Sequence, residues 1–180
     1  MEDAAFSGLE TEGLVIRRFQ ASDAEPFFAY RNDPDVARYQ GWKLPYTARE
    51  AADFIASLTD LSPGRPGTWF QFAVTPARSG LLIGDVALRT TSEDPLQGEI
   101  GFSFASSSQG RGYAGRAVRC VIEYAFTTLG MRRIFAVTSS RNTRAQRLLR
   151  RVDFQLEQRL DEGILLYSQL NAHRSTEHTI

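Results

Sequence analysis

The spacing of apolar residues changes twice along the chain and divides it into three stretches. In the first, Leu14-Val15-Ile16 is a short run with β-branched residues that predicts a strand, after a loose lead-in over residues 1–12. Ala24, Phe27, Phe28 and Tyr30 supply the apolar surface of a helix capped by Ser22 or Asp23 and stopped by Asn32-Asp33-Pro34. Thr47 and Glu50 have capping-box spacing ahead of Ala51, Phe54, Ile55 and Leu58, which predicts a second helix. Leu61 to Gly67 has the Pro and Gly content of a loop.

The middle stretch reads as β-structure. Trp69 to Thr75, Leu81 to Thr90 and Glu99 to Phe104 predict three strands, with turns over Pro76 to Gly80 and Glu93 to Gly98. Such short connections predict an antiparallel meander, and Ile100, Phe102 and Phe104 fall on one face of its last strand. From Gly112 the period becomes helical: Ala114, Ala117, Val118, Val121, Ile122, Ala125, Phe126 and Leu129 form one face, and Gly130 is placed as a stop. Arg133 to Ser139 predicts a strand. Asn142 to Arg151 predicts a helix with Ala145, Leu148 and Leu149 inward, and Phe154 to Arg159 and Gly163 to Leu170 predict two final strands. The order is that of a mixed α/β (α+β) domain spanning residues 1–180, with its core at about 12–170 and a flexible tail from 171. The strand, helix and strand around residues 99 to 139 form the expected ligand-binding unit.

Composition narrows the chemistry. The one cysteine, Cys120, excludes an internal disulfide and a Cys-based zinc site, and beside Val121 it reads as a small buried apolar residue. The two histidines, His173 and His178, lie in the last eight residues, so no His triad or His-rich metal site is expected unless that tail folds back. No apolar run approaches the ~18 residues of a membrane span, and Met1 to Leu9 lacks the basic region of a secretory signal; a cytoplasmic location is the expectation.

Lys+Arg and Asp+Glu both number 21, which excludes a protein that is basic over its whole surface. The balance is uneven along the chain. Residues 109–151 hold ten arginines (111, 116, 119, 132, 133, 141, 144, 147, 150 and 151) and one acid, Glu123, so that stretch carries about +9 and the remainder about −9. The zero total therefore conceals a basic half that suits a phosphorylated partner, with nucleic acid bound through these arginines as the weaker reading.

Ser106 to Arg116 joins the strand ending at Phe104 to the following helix, and is rich in Ser and Gly. Small residues let a backbone approach a ligand closely, and the free N–H groups of a first helical turn bind phosphate. The loop lacks the Gly-Lys-Ser/Thr of a Walker loop and the distal acid of a dinucleotide fingerprint.

Gln109-Gly110-Arg111-Gly112-Tyr113-Ala114 matches the Gln/Arg-x-x-Gly-x-Gly/Ala signature of the GNAT superfamily of N-acetyltransferases. Glu99-Ile100-Gly101-Phe102 before it and Ala114 to Val118 after it resemble the same family. Leu14 to Phe19 with Asp23-Ala24-Glu25, Gly84-Asp85-Val86, and Asn142 through Phe154 are similar to its branch of ribosomal-protein N-terminal acetyltransferases. The resemblance covers about residues 12–170. It implies a central, mostly antiparallel twisted sheet, flanked by helices and splayed where acetyl-CoA binds. It further implies that backbone amides of Gly110 through Gly115 hold the pyrophosphate, with Gln109, Arg111, Tyr113, Ala114 and Arg116 in the same loop. Phe102, Ser103 and Phe104 would line the pantetheine arm, with a backbone N–H near Phe104 at the acetyl carbonyl. Arg147 would suit a CoA phosphate. The partners implied are acetyl-CoA and an amine acceptor, either a protein N-terminal α-amine or a small amine, with direct attack by the amine in a monomer or homodimer.

The attacking amine must be neutral, which a base assists. Glu99 stands where relatives carry such a carboxylate, and equally reads as a solvated residue at a strand start; Asp85 is the second candidate. Asn142 is well placed as a helix N-cap, and the resemblance also puts it on the cofactor arm. Ala145 replaces the Ser that protonates the leaving thiolate in some relatives, which leaves water as the proton source, with Tyr167 or Ser139 as lesser substitutes; Tyr167 reads first as a packed strand residue. Asp153 replaces a family glycine, a change that would tilt the last strands. Leu160 to Gly163 is shorter than the Trp-containing segment of relatives. These departures motivate an alternative, a catalytically inactive acyl-CoA-binding module. Tyr39, Trp42 and Tyr46 read as packing aromatics in the region that the resemblance places over the acceptor cleft.

Overall fold

A computed structural model describes residues 6–172. An eight-stranded sheet runs in the order β1-β2-β3-β4-β5-β6-β8-β7. Its strands are β1 (Leu9–Thr11), β2 (Leu14–Arg17), β3 (Trp69–Pro76), β4 (Gly84–Thr90), β5 (Gln97–Phe104), β6 (Arg133–Ser139), β7 (Gln155–Arg159) and β8 (Ile164–Leu170). All neighbours pair antiparallel except β5 and β6. That parallel pairing covers only Gln97 to Glu99 against Arg133 to Phe135, although β6 continues against β8 as far as Ser139. From Ile100 onward β5 keeps β4 on one side and opens on the other.

The helices divide between the two faces. α4 (Tyr113–Thr127) and α5 (Thr143–Arg151) cover one. There Phe70, Phe72 and Val74 of β3, Val86 and Leu88 of β4, and Ile100 and Phe104 of β5 meet Ala117, Val118, Val121 and Ile122 in the larger core. α1 (Ala24–Arg31), the single turn α2 (Pro34–Ala37) and α3 (Ala48–Ser57) cover the other, where Phe27, Tyr30, Ala51 and Ile55 pack with Ala73. Period-two alternation sorts each strand between these cores.

Local signals set the helix ends. Thr47 and Glu50 form the full capping box of α3. Asn142 caps α5 by accepting the Ala145 N–H at 3.1 Å. Gly130 follows α4 at φ +68°, a conformation glycine adopts without steric cost. α1 begins at Ala24 behind a 3-10 turn rather than on a side-chain cap; Asp23 is drawn instead to Arg17, at 2.7 Å.

Two expectations need correction. The lead-in is not loose throughout: Leu9–Thr11 adds an edge strand, and Phe6 inserts edge-on between Phe70, Phe72 and Tyr124. The second meander strand begins at Gly84 rather than Leu81, which leaves Leu81 exposed. At Asp153 the backbone is left-handed (φ 69°), the carboxylate pairs with Arg119 at 2.9 Å, and β7 and β8 are hydrogen-bonded with an irregular register between Leu156 and Gln158. At the far end, Asn171 is buried and donates to the carbonyls of Phe126 and Met131. The rest of the expected tail, from His173, and both histidines lie outside the described residues. No helix among the described residues is long and apolar enough to cross a membrane.

Gly84 shows how closely β4 and β5 approach. A Cβ there would overlap the Ser103 carbonyl oxygen and the Phe104 ring. Gly84→Ala is expected to cost about 1–3 kcal/mol, the usual range for overpacking a filled core. Chemical denaturation measures it, and a variant as stable as wild type would mean that the strands separate freely.

Candidate active site

The open side of β5 is defined by its hydrogen bonds. Ala105 N–H donates to the Ile83 carbonyl, and the Gln97 carbonyl accepts from Thr91, so odd-numbered residues of β5 bond toward β4. Alternation then turns the N–H and C=O of Phe102 and Phe104 toward the gap beside β6. Their carbonyls are met by side chains: Gln40 Nε2 donates to Phe102 at 3.3 Å and Gln109 Nε2 to Phe104 at 3.0 Å. The two N–H groups face the gap as an unoccupied strand edge would.

The glycine loop lies at the end of this gap. Gly110 and Gly112 both have φ +76°, and Gly112 is the N-cap of α4 without a side-chain cap. A Cβ at Gly110 or Gly115 would meet nothing within 4 Å, and one at Gly112 only Arg116 Nη1 at 3.6 Å. The backbone therefore borders open space, with the first N–H groups of α4 and the positive end of its dipole directed there. Arg116 adds a buried Nε without a partner, and its guanidinium lies 5.3 Å from the Tyr113 ring centroid. Gln109 ties the loop to α5, since its Oε1 accepts from Arg144 at 3.1 Å. Arg111 and Arg147 are exposed on the same basic side. Open space, free amides and an unpartnered cationic N–H fit a bound diphosphate.

A cleft of about 500 Å³ opens on the α1–α3 face. Its floor is the cross-strand pair Ala87 and Gly101, whose small size makes the cavity, with Asp85, Ser103 and Gln71 beside them. Trp42, Phe54, Leu58, Leu61 and Trp69 form the walls, and Phe102 brings the open strand edge into the same space. Asp85 is fully buried and its Oδ1 accepts the Tyr30 hydroxyl at 2.6 Å. Burial pushes the Asp85 carboxyl up, opposed by the Arg31 charge and the Tyr30 hydrogen bond. Burial and Asp85 likewise hold the Tyr30 phenol well above its ordinary value.

The sign of the resulting pH dependence follows. The folded chain keeps the Asp85 proton to higher pH than the unfolded chain does. The associated stability is complete below the ordinary Asp value of about 3.9 and is lost as pH rises through the raised folded value. Asp85→Asn keeps an acceptor for Tyr30 and removes the titration. Its stability relative to wild type should therefore grow with pH above about 4, measured by denaturation across a pH series. A constant difference would show that burial of the charge is not what Asp85 costs.

Glu99 shares the cleft's face of β5 but stands before Gly101 on the strand, with the Leu88–Ile100 pair between it and the Ala87–Gly101 floor. There it accepts Arg89 at 2.6 Å, and Arg89 lies 5.4 Å from the Trp69 ring centroid. Ser103 is buried in the cleft floor. Asn142 has its Oδ1 committed to capping α5. Tyr167 lies in the larger core on the opposite face, fully buried, and its hydroxyl accepts from Arg150 at 3.0 Å. Ser139 closes the turn after β6, where the buried Gln146 amide donates to the Ser139 and Ser140 carbonyls. Trp42 lines the cleft, Tyr46 packs in the smaller core, and Tyr39 is exposed with its hydroxyl on the Arg141 carbonyl. Cys120 is half-buried, with its thiol pushed up by burial and by Glu123.

Sequence reading missed Tyr30, Arg31, Gln40 and Gln71. The available signal was Asp85, an acid in an otherwise apolar buried run, which requires polar partners; nothing local marked which residues those would be.

The sequence model of the acetyltransferase (GNAT) domain matches residues 13–155. The chain belongs to the GNAT acetyltransferase family. N-acetyltransferase p20 of Bacillus licheniformis is 31% identical over 150 residues, covering 83% of each chain. Among solved structures, this GNAT fold is similar to the ribosomal-protein-S5-alanine acetyltransferase of Vibrio fischeri (TM-score 0.75, 24% identity, 92% of this chain and 97% of that one). It is also similar to the spermidine N-acetyltransferase of Vibrio cholerae, solved with CoA and spermine (TM-score 0.76, 20% identity, 89% and 97%). The two neighbours are named for different acceptors, so the shared fold leaves the acceptor open.

Proposed function

We propose that this GNAT domain transfers the acetyl group of acetyl-CoA to a primary amine, either a protein N-terminal α-amine or that of a small molecule, in the cytoplasm. The observation that carries this reading is the unpaired edge of β5 at Phe102 and Phe104, which leads from the glycine loop into the cleft. The neighbour from Vibrio cholerae, solved with CoA, supports the choice of co-substrate. Acetyl-CoA supplies a thioester carbonyl: the neutral amine forms the C–N bond as the C–S bond breaks, the nitrogen releases its surplus proton to water, and the CoA thiolate takes a proton from water.

The chain's own residues bind and orient. Amides of Gly110 through Gly115, with Arg116, hold the diphosphate. The Phe102 and Phe104 backbone pairs with the pantetheine arm, and the Gln40 amide must leave the Phe102 carbonyl to allow it. The Phe104 N–H is the donor for the developing charge on the acetyl oxygen. Glu99 takes a proton from the incoming ammonium through water along the Ala87–Gly101 floor. With Ala145 at the family's serine position and Tyr167 beneath α5, water is the proton source for the thiolate.

The test is thiol release from acetyl-CoA by the purified protein against a panel of amines. Amine-dependent release above background is expected. Tight CoA binding with only background release for every amine would instead establish a non-catalytic acyl-CoA-binding module.

A further inference from the structure

Two buried polar atoms of opposite character belong to residues in the wall of the acceptor cleft and have no partner: the donor Arg31 Nε and the acceptor Gln71 Oε1. Leaving such groups unpaired is costly, so each calls for an explanation. Arg31 is 8% exposed. Its guanidinium carbon lies 3.7 Å from the Trp42 ring centroid and 4.5 Å from that of Phe27. These rings fix the plane of the group but offer no acceptor in that plane. Trp42 is itself held, since its Nε1 donates to the Arg31 carbonyl at 2.9 Å.

The charges nearby do not satisfy Arg31. Among the described residues no carboxylate oxygen lies within 4.0 Å of it. Asp85 takes the Tyr30 hydroxyl at 2.6 Å, and the Arg31 charge acts on both groups without forming an ion pair. At the other end of the cleft Arg89 and Glu99 neutralise each other. The cleft therefore presents a rigid cation and the Gln71 amide oxygen beside the apolar surface of Trp42, Phe54, Leu58 and Trp69, with Asp85 in the same lining engaged by Tyr30.

We propose that the acceptor is an amine that also carries a carboxylate, an α-amino acid with an apolar side chain, whose carboxylate is bound by Arg31 and whose amine donates an N–H to Gln71. Trp42, Phe54, Leu58 and Trp69 take the side chain. A guanidinium fork suits a carboxylate, whereas a second cation on the acceptor would meet Arg31 in a desolvated space. This assignment rests on the acetyl-transfer reading of the same cleft and names its substrate class.

The experiment compares L-phenylalanine, L-phenylalaninamide and 2-phenylethylamine. Calorimetry on the protein–CoA complex reads binding, and thiol release from acetyl-CoA reads turnover. Phenylalanine is expected to exceed both others by about tenfold or more in affinity and in kcat/KM. In Arg31→Met that preference should fall to about threefold or less, with CoA binding showing that the variant is folded. Equal binding of the three, no binding of any, or a preference that survives Arg31→Met overturns the proposal. If Arg31→Met does not fold, Arg31→Lys keeps the charge and loses the fork. It must weaken phenylalanine binding more than 2-phenylethylamine binding, and equal weakening overturns the proposal. An Arg31-dependent preference in binding without thiol release from any amine would support the carboxylate site while ending the acetyl-transfer reading.

Discussion

Gly112→Glu is expected to weaken CoA binding by about 100-fold or more, equivalent to about 2.7 kcal/mol, while the protein remains folded. Two effects combine. A glutamate at the head of α4 would place its own carboxylate on the N–H groups that hold the diphosphate, and would repel the phosphates. The backbone conformation at φ +76° adds about 1–2 kcal/mol of strain for a residue with a Cβ. Gly112→Ala separates the two, because it carries the strain without the charge or the bulk. With open space before the loop, its loss of CoA affinity should stay below about tenfold. Calorimetric titration of CoA measures both variants. An unchanged affinity in Gly112→Glu would remove the phosphate assignment and with it the direction in which the co-substrate lies along β5.

The second large effect is expected at Glu99. Glu99→Gln should lower kcat by about 100-fold, the lower end of what a positioned base contributes, while CoA affinity stays within about twofold. A modest figure is appropriate if the acceptor is an α-amine, whose pKa of about 7.7–8.0 leaves less for a base to do than a lysine at about 10.4. Glutamine also disrupts the contact with Arg89, so a rate change alone would not separate a base from a strand-pairing residue. The pH profile does. Loss of the acidic limb of kcat/KM in Glu99→Gln identifies the base, whereas a uniformly lowered profile of the same shape identifies a structural role. Asp85→Asn is the matched comparison, because Asp85 lines the cleft whereas Glu99 stands beyond its floor, paired with Arg89. If Asp85→Asn alone loses the acidic limb, the base is the buried carboxylate.

Much of the fold was legible because its signals are local. The Thr47–Glu50 capping box, the Asn142 cap, the eight apolar positions from Ala114 to Leu129 and the Gly130 stop are each contained within a few turns of chain, and each formed as the residues dictate. The expectations that failed depend on distant partners. Leu9–Thr11 is too short to read as a strand until β2 lies beside it, and Phe6 gains its place only from Phe70, Phe72 and Tyr124. Tyr167 is not among these: it reads first as a packed strand residue, and its position under α5 against Arg150 is a property of how β8 docks on β6.

The candidate site divides in the same way. The glycine loop is one continuous segment, and its residue types alone specify positive φ, close backbone approach and a helix N-terminus, so the sequence made the proposed phosphate end and the family legible. The cleft proposed for the acceptor has no such segment. Arg31 and Trp42 come from around the first helices, Gln71 from β3, Asp85 from β4 and Gly101 from β5, and none carries a mark of the others. Only the pairing of β3, β4 and β5 beneath α1 and α3 brings them together, and only the early end of the β5–β6 ladder at Glu99 opens an edge beside them. Torsional preference and capping act over a few bonds and can be read along the chain. Burial of a charge and the register of a sheet depend on which strands become neighbours, and that the tertiary structure decided.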